Sequence, residues 1–398
     1  MKQYSYKATK TENKKYKFSK PGKGTGSHKG LMTALRYLYR LFVVLMTVAV
    51  MLAFALLYVV QIIADGPSPA VRNFLVQSAM QASATKWVPG LFLSDEEVKA
   101  IIDAGDEQVI EEVDMEDPPV LPDPEIGDDT DEEGGEIVYP IDDGIDYYQI
   151  SKNTFRAYIM LIKDPSRVFV GVSTNDFESS TRGMRIYDAA KKYGAIAAIN
   201  AGEFSDTGGQ GRGERPMGIT FSRGNMVWND KLYRTFIGLD SNNRLIVKEG
   251  MTEDEALLMG IRDGVSFQRG NLLIETVEGS VRCYYQPEND GKAQRTAIGQ
   301  RADGTIILIV TDGRTTSSIG ATRDDIIDLM VNYGAVTAGM LDGGSSAMMY
   351  YSNYIEKYSI DEGTLDEYQK LGLVNKYKAF TNPRWLPTFF MVMPEVED

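Results

Sequence analysis

Two aspartates, each closing an apolar run and each followed by glycine, are the foremost candidates for chemistry in this 398-residue chain: Asp312 in TIILIVTDGR (305–314) and Asp342 in AVTAGMLDGGSS (335–346). Glycine beside a strand-end carboxylate lets a ligand approach the backbone, and the N–H groups of GGSS (343–346) can cradle phosphate oxygens. Arginines stand nearby, Arg314 directly after the first Asp-Gly and Arg295 at the head of RTAIG (295–299). A guanidinium offers paired donors to phosphate, while paired carboxylates can attack a carbon, activate water or handle a proton. Either Asp-Gly alone could be an ordinary turn. Two of them after matching apolar strands, with arginines close by, favour a site.

His28 is the only histidine and lies in a basic N-terminal tail. A Ser-His-Asp triad, a Cys-His pair and a histidine zinc site are thereby excluded from the C-terminal part. Ser345 and Ser346, with no histidine base, read as hydroxyl or phosphate ligands. Cys283 has no partner for a disulfide within the chain and reads as a small hydrophobe. NAGEF (200–204) adds Asn200, Gly202 and Glu203 at another strand end, with Glu203 as an acid or a specificity contact. Arg384, in NPRWLP (382–387), could reach a phosphate from the sheet edge. The sequence requires no cofactor. A divalent cation held by Asp312 and Asp342, with Glu203 beside them, is an open alternative, since oxygen ligands suit a hard ion.

The elements that must place these residues are mostly strands. FRAYIMLIKD (155–164), VFVGVST (168–174) and the run 194–200 read as strands, as does the final apolar segment 388–393. Between the two aspartates, Ile326, Ile327, Met330 and Val331 form a helical stripe. Strand, helix, strand predicts a right-handed crossover with parallel pairing, which would bring Asp312 and Asp342 to one sheet edge.

The chain has a marked order of segments. Residues 1–40 form a basic tail with eleven Lys or Arg against one acid, and 41–64 form an apolar run long enough for one transmembrane helix. The charge bias predicts a cytoplasmic N-terminus, although a secretory signal would share that pattern. Residues 65–110 predict a helical stalk, with Ser94 and Glu97 as a capping box, and 111–146 an acidic linker. The remainder, 147–398, is the expected extracytoplasmic domain. A formal net charge of -14 argues against a nucleic-acid partner for it. The near-absence of cysteine from a domain expected outside suggests a bacterial cell membrane. No oligomeric state follows.

In their order NAGEF, RPMG (215–218), RTAIG, TDGR (311–314), LDGGSSAMM (341–349) and NPRWLP resemble the phosphodiester glycosidase domain, the family of the lysosomal uncovering enzyme. The resemblance covers roughly 150–393. It implies an α+β, mixed-sheet domain that hydrolyses a sugar-1-phosphodiester, with N-acetylglucosamine a candidate sugar. It also implies site roles for Asn200, Gly202, Arg295, Asp312, Arg314, Asp342, Gly343, Gly344 and Ser345. Glu203 stands where the family often has an apolar residue. Two other readings use the same residues: a metal-dependent phosphodiesterase, and a non-catalytic binder of a phosphate-containing cell-wall polymer.

Overall fold

The computed structural model describes residues 26–66, 68–81, 85–113, 143–206, 211–289, 291–315, 318–375 and 382–395. Most of the acidic linker, like the tail before Gly26, lies outside them. The chain divides into two compact units, Met1–Asp65 and Gly66–Asp398. In the first, one helix runs Gly26–Asp65. Its Met32–Ile62 stretch, of mean hydropathy 2.8, is long and apolar enough to cross a membrane. Thr47 donates its hydroxyl to the Val43 carbonyl at 2.8 Å, so a polar group within the apolar run is satisfied locally.

The second unit is α+β. Its largest sheet has eight strands, ordered Val109–Val113, Ser280–Tyr285, Leu272–Val277, Ala335–Leu341, Thr296–Arg301, Ile306–Thr311, Arg156–Ile162 and Ile145–Ser151. All six residues of Ile306–Thr311 are buried, so this strand shows no hydrophobic alternation. A four-stranded sheet, Met349–Tyr351, Ala197–Asn200, Thr388–Val392 and Val168–Val172, carries the expected final strand in its interior. A five-stranded sheet between Ile219 and Phe267 completes the layers. Apolar side chains from all three sheets, among them Ile309, Ile199 and Ile237, share one continuous core.

Sequence and structure differ at the crossover. Every strand pairing among the described residues is antiparallel. The expected parallel strand-helix-strand unit is therefore absent as a hydrogen-bonded pair. Ile306–Thr311 and Ala335–Leu341 do run in the same sense, but Thr296–Arg301 lies between them and pairs with both, Thr296 facing Val310 on one side and Leu341 on the other. The reason is topological: an apolar run buried on both faces fits a parallel or an antiparallel neighbourhood, and local sequence does not name the neighbour. Because the two strands share a sense, both still deliver their aspartates to one edge.

Helix starts follow local chemistry closely. The helix Asp95–Gly105 begins with the predicted capping box, Ser94 and Glu97 bonding reciprocally. The helix Arg323–Asn332 opens with the same device from Thr322 and Asp325. The helix Pro69–Met80 starts with proline, where a missing N–H costs nothing. Cys283 is fully buried, and burial pushes its thiol up to about 11, consistent with an unreactive core residue.

Candidate functional site

The edge where Ala335–Leu341 ends is assembled from three directions. The Asp342 backbone N–H donates to the Ala201 carbonyl at 3.0 Å, joining the Asp-Gly turn to the exit of Ala197–Asn200. Asn200 is 1% exposed and clamps this junction. Its amide donates to the Asp342 carbonyl at 2.5 Å, and its oxygen accepts from the Thr296 hydroxyl at 2.9 Å and from the Met348 N–H at 3.1 Å. These bonds run to three separate strands or strand ends, so Asn200 fixes where the Asp342 backbone sits.

Gly202 is required by a close approach: a Cβ there would lie 2.8 Å from the Ser266 carbonyl oxygen and 2.9 Å from the Val265 Cβ. With the backbone pressed against that strand, the Glu203 N–H donates to the same Ser266 carbonyl at 2.8 Å. Glu203 is thus set beside Asp342, and its carboxylate accepts from Arg234 Nε at 2.7 Å.

Asp342 is partly buried, and burial is the main reason its carboxyl is lifted to about 6. The negative charge of Glu203 acts in the same direction, while hydrogen bonds from Ser346 and the Gly343 N–H and the charge of Arg384 oppose it. Arg384 reaches Asp206 and the Ser346 hydroxyl at 3.5 Å each, and its guanidinium lies 5.8 Å from the centroid of the Phe204 ring. These contacts are at the long limit, so the guanidinium is loosely engaged. Carboxylates and cations therefore interleave here: Glu203 with Arg234, and Asp206 and Asp342 with Arg384.

The glycine loop after Asp342 forms a 3-10 turn, Gly344–Ser346, with Ser345 at its middle. A Cβ on Gly343 would lie 2.6 Å from the Gln294 carbonyl oxygen, which explains the glycine by packing. Gly344 N–H donates to that same carbonyl at 2.8 Å and Ser346 N–H to the Gly343 carbonyl at 3.1 Å. Two of the N–H groups in the loop are thus engaged within the protein, and a third, on Gly343, faces Asp342.

The other predicted residues have different surroundings. Asp312 is buried and accepts from the Tyr158 hydroxyl at 2.8 Å. Arg295 donates to the Ala321 carbonyl, to Gln81 and to the Gly291 carbonyl at 3.1, 3.2 and 2.6 Å. Arg314 donates to the Ser78 carbonyl at 3.1 Å, near the end of the helix Pro69–Met80. Burial, with the neighbouring charge of Arg314, lowers Arg295 to about 10, so it stays cationic at neutral pH. The structure thus gathers Asn200, Gly202, Glu203, Asp342, Gly343, Gly344, Ser345 and Arg384. Asp312, Arg295 and Arg314 stand on adjoining strand ends with partners of their own. Among the described residues, no three His, Cys, Asp or Glu side chains are grouped to hold a metal ion.

Sequence reasoning missed Arg234 and Asp206. Arg234 precedes a buried strand, Thr235–Asp240, with no motif around it, and Asp206 is one acid of a glycine-rich loop. Trp228 packs edge-on against Phe177, centroids 6.1 Å apart, while Trp385 carries the Arg185 guanidinium 3.8 Å from its ring centroid.

This edge belongs to a recognisable class. The phosphodiester glycosidase family model matches residues 193–393, half of the chain, and the chain belongs to that family. The SPbeta prophage-derived uncharacterized protein YomE of Bacillus subtilis (strain 168) is 27% identical over 182 residues, covering 44% of this chain and 27% of that protein. Among solved structures, the catalytic domain of zebrafish N-acetylglucosamine-1-phosphodiester alpha-N-acetylglucosaminidase, auto-inhibited by its pro-peptide, is similar at 18% identity and a TM-score of 0.49, over 64% of this chain and 83% of that one. A hypothetical protein from Synechocystis is similar at 14% identity and a TM-score of 0.41, over 63% of this chain and 62% of that one.

Proposed function

We propose that the chain is a membrane-tethered hydrolase of sugar-1-phosphodiesters that releases the sugar, N-acetylglucosamine being the first candidate, from a cell-surface glycan or glycolipid. The observation that carries this reading is Asp342: a carboxyl lifted to about 6, beside the second carboxylate Glu203, within the family motif LDGGSS. Two carboxyl groups with different surroundings are what glycosidic cleavage asks for.

In this mechanism Glu203, paired with Arg234, takes a proton from the water that attacks the anomeric carbon. The carbon–oxygen bond to phosphate breaks, and its electron pair leaves with the phosphate. Asp342 gives its proton to the departing phosphate oxygen and regains one from solvent as Glu203 releases its own. A phosphate monoester is a weak base, so charge stabilisation matters more than strong acidity, and the loosely engaged Arg384 is placed to supply it. Asp312 and Tyr158 would hold the neighbouring strand end, with Arg295 and Arg314 adding positive potential. The basic tail favours a cytoplasmic N-terminus and an extracytoplasmic catalytic unit in a bacterial membrane.

The test uses the full-length protein in detergent micelles with the methyl diester of N-acetylglucosamine 1-phosphate. Free N-acetylglucosamine and methyl phosphate are the expected products, lost in Asp342→Asn. Methanol and N-acetylglucosamine 1-phosphate would instead identify a phosphodiesterase, and no turnover of this or other sugar-phosphate diesters would leave a binding module.

A further inference from the structure

A second candidate site lies beside the Asp342 edge, in a cavity of about 450 Å³ whose wall includes Asp106, Phe267, Arg269, Asn289, Arg295 and Arg323. The residues of the carboxylate cluster, Asp342, Glu203 and Arg384, are not on that wall. Its charged side chains are three arginines against one aspartate, in a domain that is acidic as a whole.

Arg323 is the informative member. It is 5% exposed, it sits at the first position of the helix Arg323–Asn332, and its Nη2 donates to the Leu272 carbonyl at 2.5 Å. Its Nε and Nη1 are buried with no hydrogen-bond partner. The charges of Asp324, Asp106 and Glu249 favour its cationic form, yet burial lowers it to about 10, and no ion pair to it occurs among the described residues. Asp324 is engaged elsewhere, accepting from the Gln286 N–H at 2.8 Å. A buried cation with two idle donors is costly unless something anionic completes it. Arg269, exposed at the rim with its guanidinium 4.6 Å from the centroid of the Tyr233 ring, is a second cation on the same wall.

The size of the cavity restricts the ligand further. At about 30 Å³ per water, it has room for roughly fifteen waters, far more than a bare phosphate displaces. Its remaining polar wall is rich in Asn and Gln amides, which suit hydroxyl groups, and Phe267 supplies an apolar face. We propose that this cavity is a binding site for a sugar phosphate, Arg323 and Arg269 meeting the phosphate and the amides meeting the sugar. The site goes beyond the hydrolytic reading: it binds without cleaving, and it would hold a phosphorylated unit of a glycan whether or not the Asp342 edge is catalytic.

Calorimetric titration of full-length protein in detergent micelles tests this, using N-acetylglucosamine 1-phosphate as probe in an Arg384→Ala background that weakens the neighbouring edge. One equivalent should bind, about tenfold tighter than inorganic phosphate or N-acetylglucosamine alone. Adding Arg269→Ala, a rim change with little risk to folding, should weaken it about tenfold, and Arg323→Met should abolish it in protein that still melts cooperatively. No binding in the Arg384→Ala background, or binding unchanged by Arg269→Ala, overturns the proposal. Hydrolysis is scored separately by released sugar, so failure of one reading does not masquerade as failure of the other.

Discussion

Two carboxyl groups in this domain, Asp143 and Asp342, meet burial with opposite results. Asp143 is 7% exposed and accepts from Lys357 Nζ at 2.7 Å, from the Tyr351 hydroxyl at 2.7 Å and from Asn353 at 3.0 Å. Burial raises its pKa, but those three donors more than offset it and hold the carboxyl below its ordinary value. Asp342 also meets burial and also has a hydroxyl and a cation nearby, yet burial prevails. The difference lies in the donors. Lys357 is itself buried and fixed by the Ile145 carbonyl at 2.7 Å, whereas Arg384 is divided between Asp206 and Ser346 at 3.5 Å. A carboxylate with short, dedicated donors becomes a structural clasp; one with loose donors and an acidic neighbour keeps a proton within reach of neutral pH.

Breaking the clasp should give the largest effect on stability. Lys357→Met leaves Asp143 buried without its cation and is expected to cost about 3–5 kcal/mol in denaturant unfolding, because the desolvated charge loses its compensation. Replacing both members, Lys357→Met with Asp143→Leu, should recover much of that loss. A single substitution costing under about 1 kcal/mol would mean the pair does not close the fold. Asp342→Asn should behave in the opposite way, reducing turnover about 10²–10⁴-fold while leaving the unfolding midpoint equal or higher. Loss of stability with retained turnover would assign Asp342 to the scaffold.

Titration separates the two groups by sign. Asp143 has a depressed folded pKa, so its contribution to stability is complete above the unfolded value near 3.8 and is lost as pH falls through the lower folded value. Asp342 has a raised one, so its contribution is complete below about 3.8 and is lost as pH rises through about 6. Melting temperatures of the wild type and of Asp342→Asn should therefore converge at acidic pH relative to their separation at pH 7, with Asp342→Asn the flatter curve between pH 4 and 6. The same carboxyl should appear in turnover as an inflection near pH 6, activity falling above it if Asp342 is the proton donor. A profile flat from pH 5 to 7 would remove it from that role.

Much of the Asp342 edge was legible because its residues are consecutive. LDGGSS states a strand end, a close approach and a carboxylate within six positions, and the packing of Gly343 against Gln294 confirms the close approach. Ser94 and Glu97 were legible for the same reason, a capping box being local. What could not be read was which distant strand intervenes. Thr296–Arg301 enters between two strands that follow it in sequence, and nothing in TIILIVTDGR names it. The clasp was hidden more deeply still. Asp143 sits at the end of an acidic run that looks wholly solvated, and its partner is 214 residues away. Glu203 lay in view, but the arginine that orients it is 31 residues distant, at the head of an unremarked strand.

That arginine sets the finest test of the comparison. Arg234 and Glu203 are 22% and 18% exposed at their side chains, between the buried clasp and an open surface pair, and one 2.7 Å bond joins them. Removing it with Arg234→Gln should cost at most about 1 kcal/mol of stability, as for a partly solvated pair. Its effect on the site should be more specific. An unpaired Glu203 is less well placed to take a proton from water, so turnover should fall about tenfold. The charge it presents to Asp342 would no longer be offset by its cation, so the inflection near pH 6 should move upward. Arg234→Lys, which restores a cation without the fixed Nε geometry, should return the inflection toward the wild-type position before it returns the rate. An unmoved inflection in Arg234→Gln would show that the charge of Glu203 does not act on Asp342 and would separate the two carboxyl groups functionally.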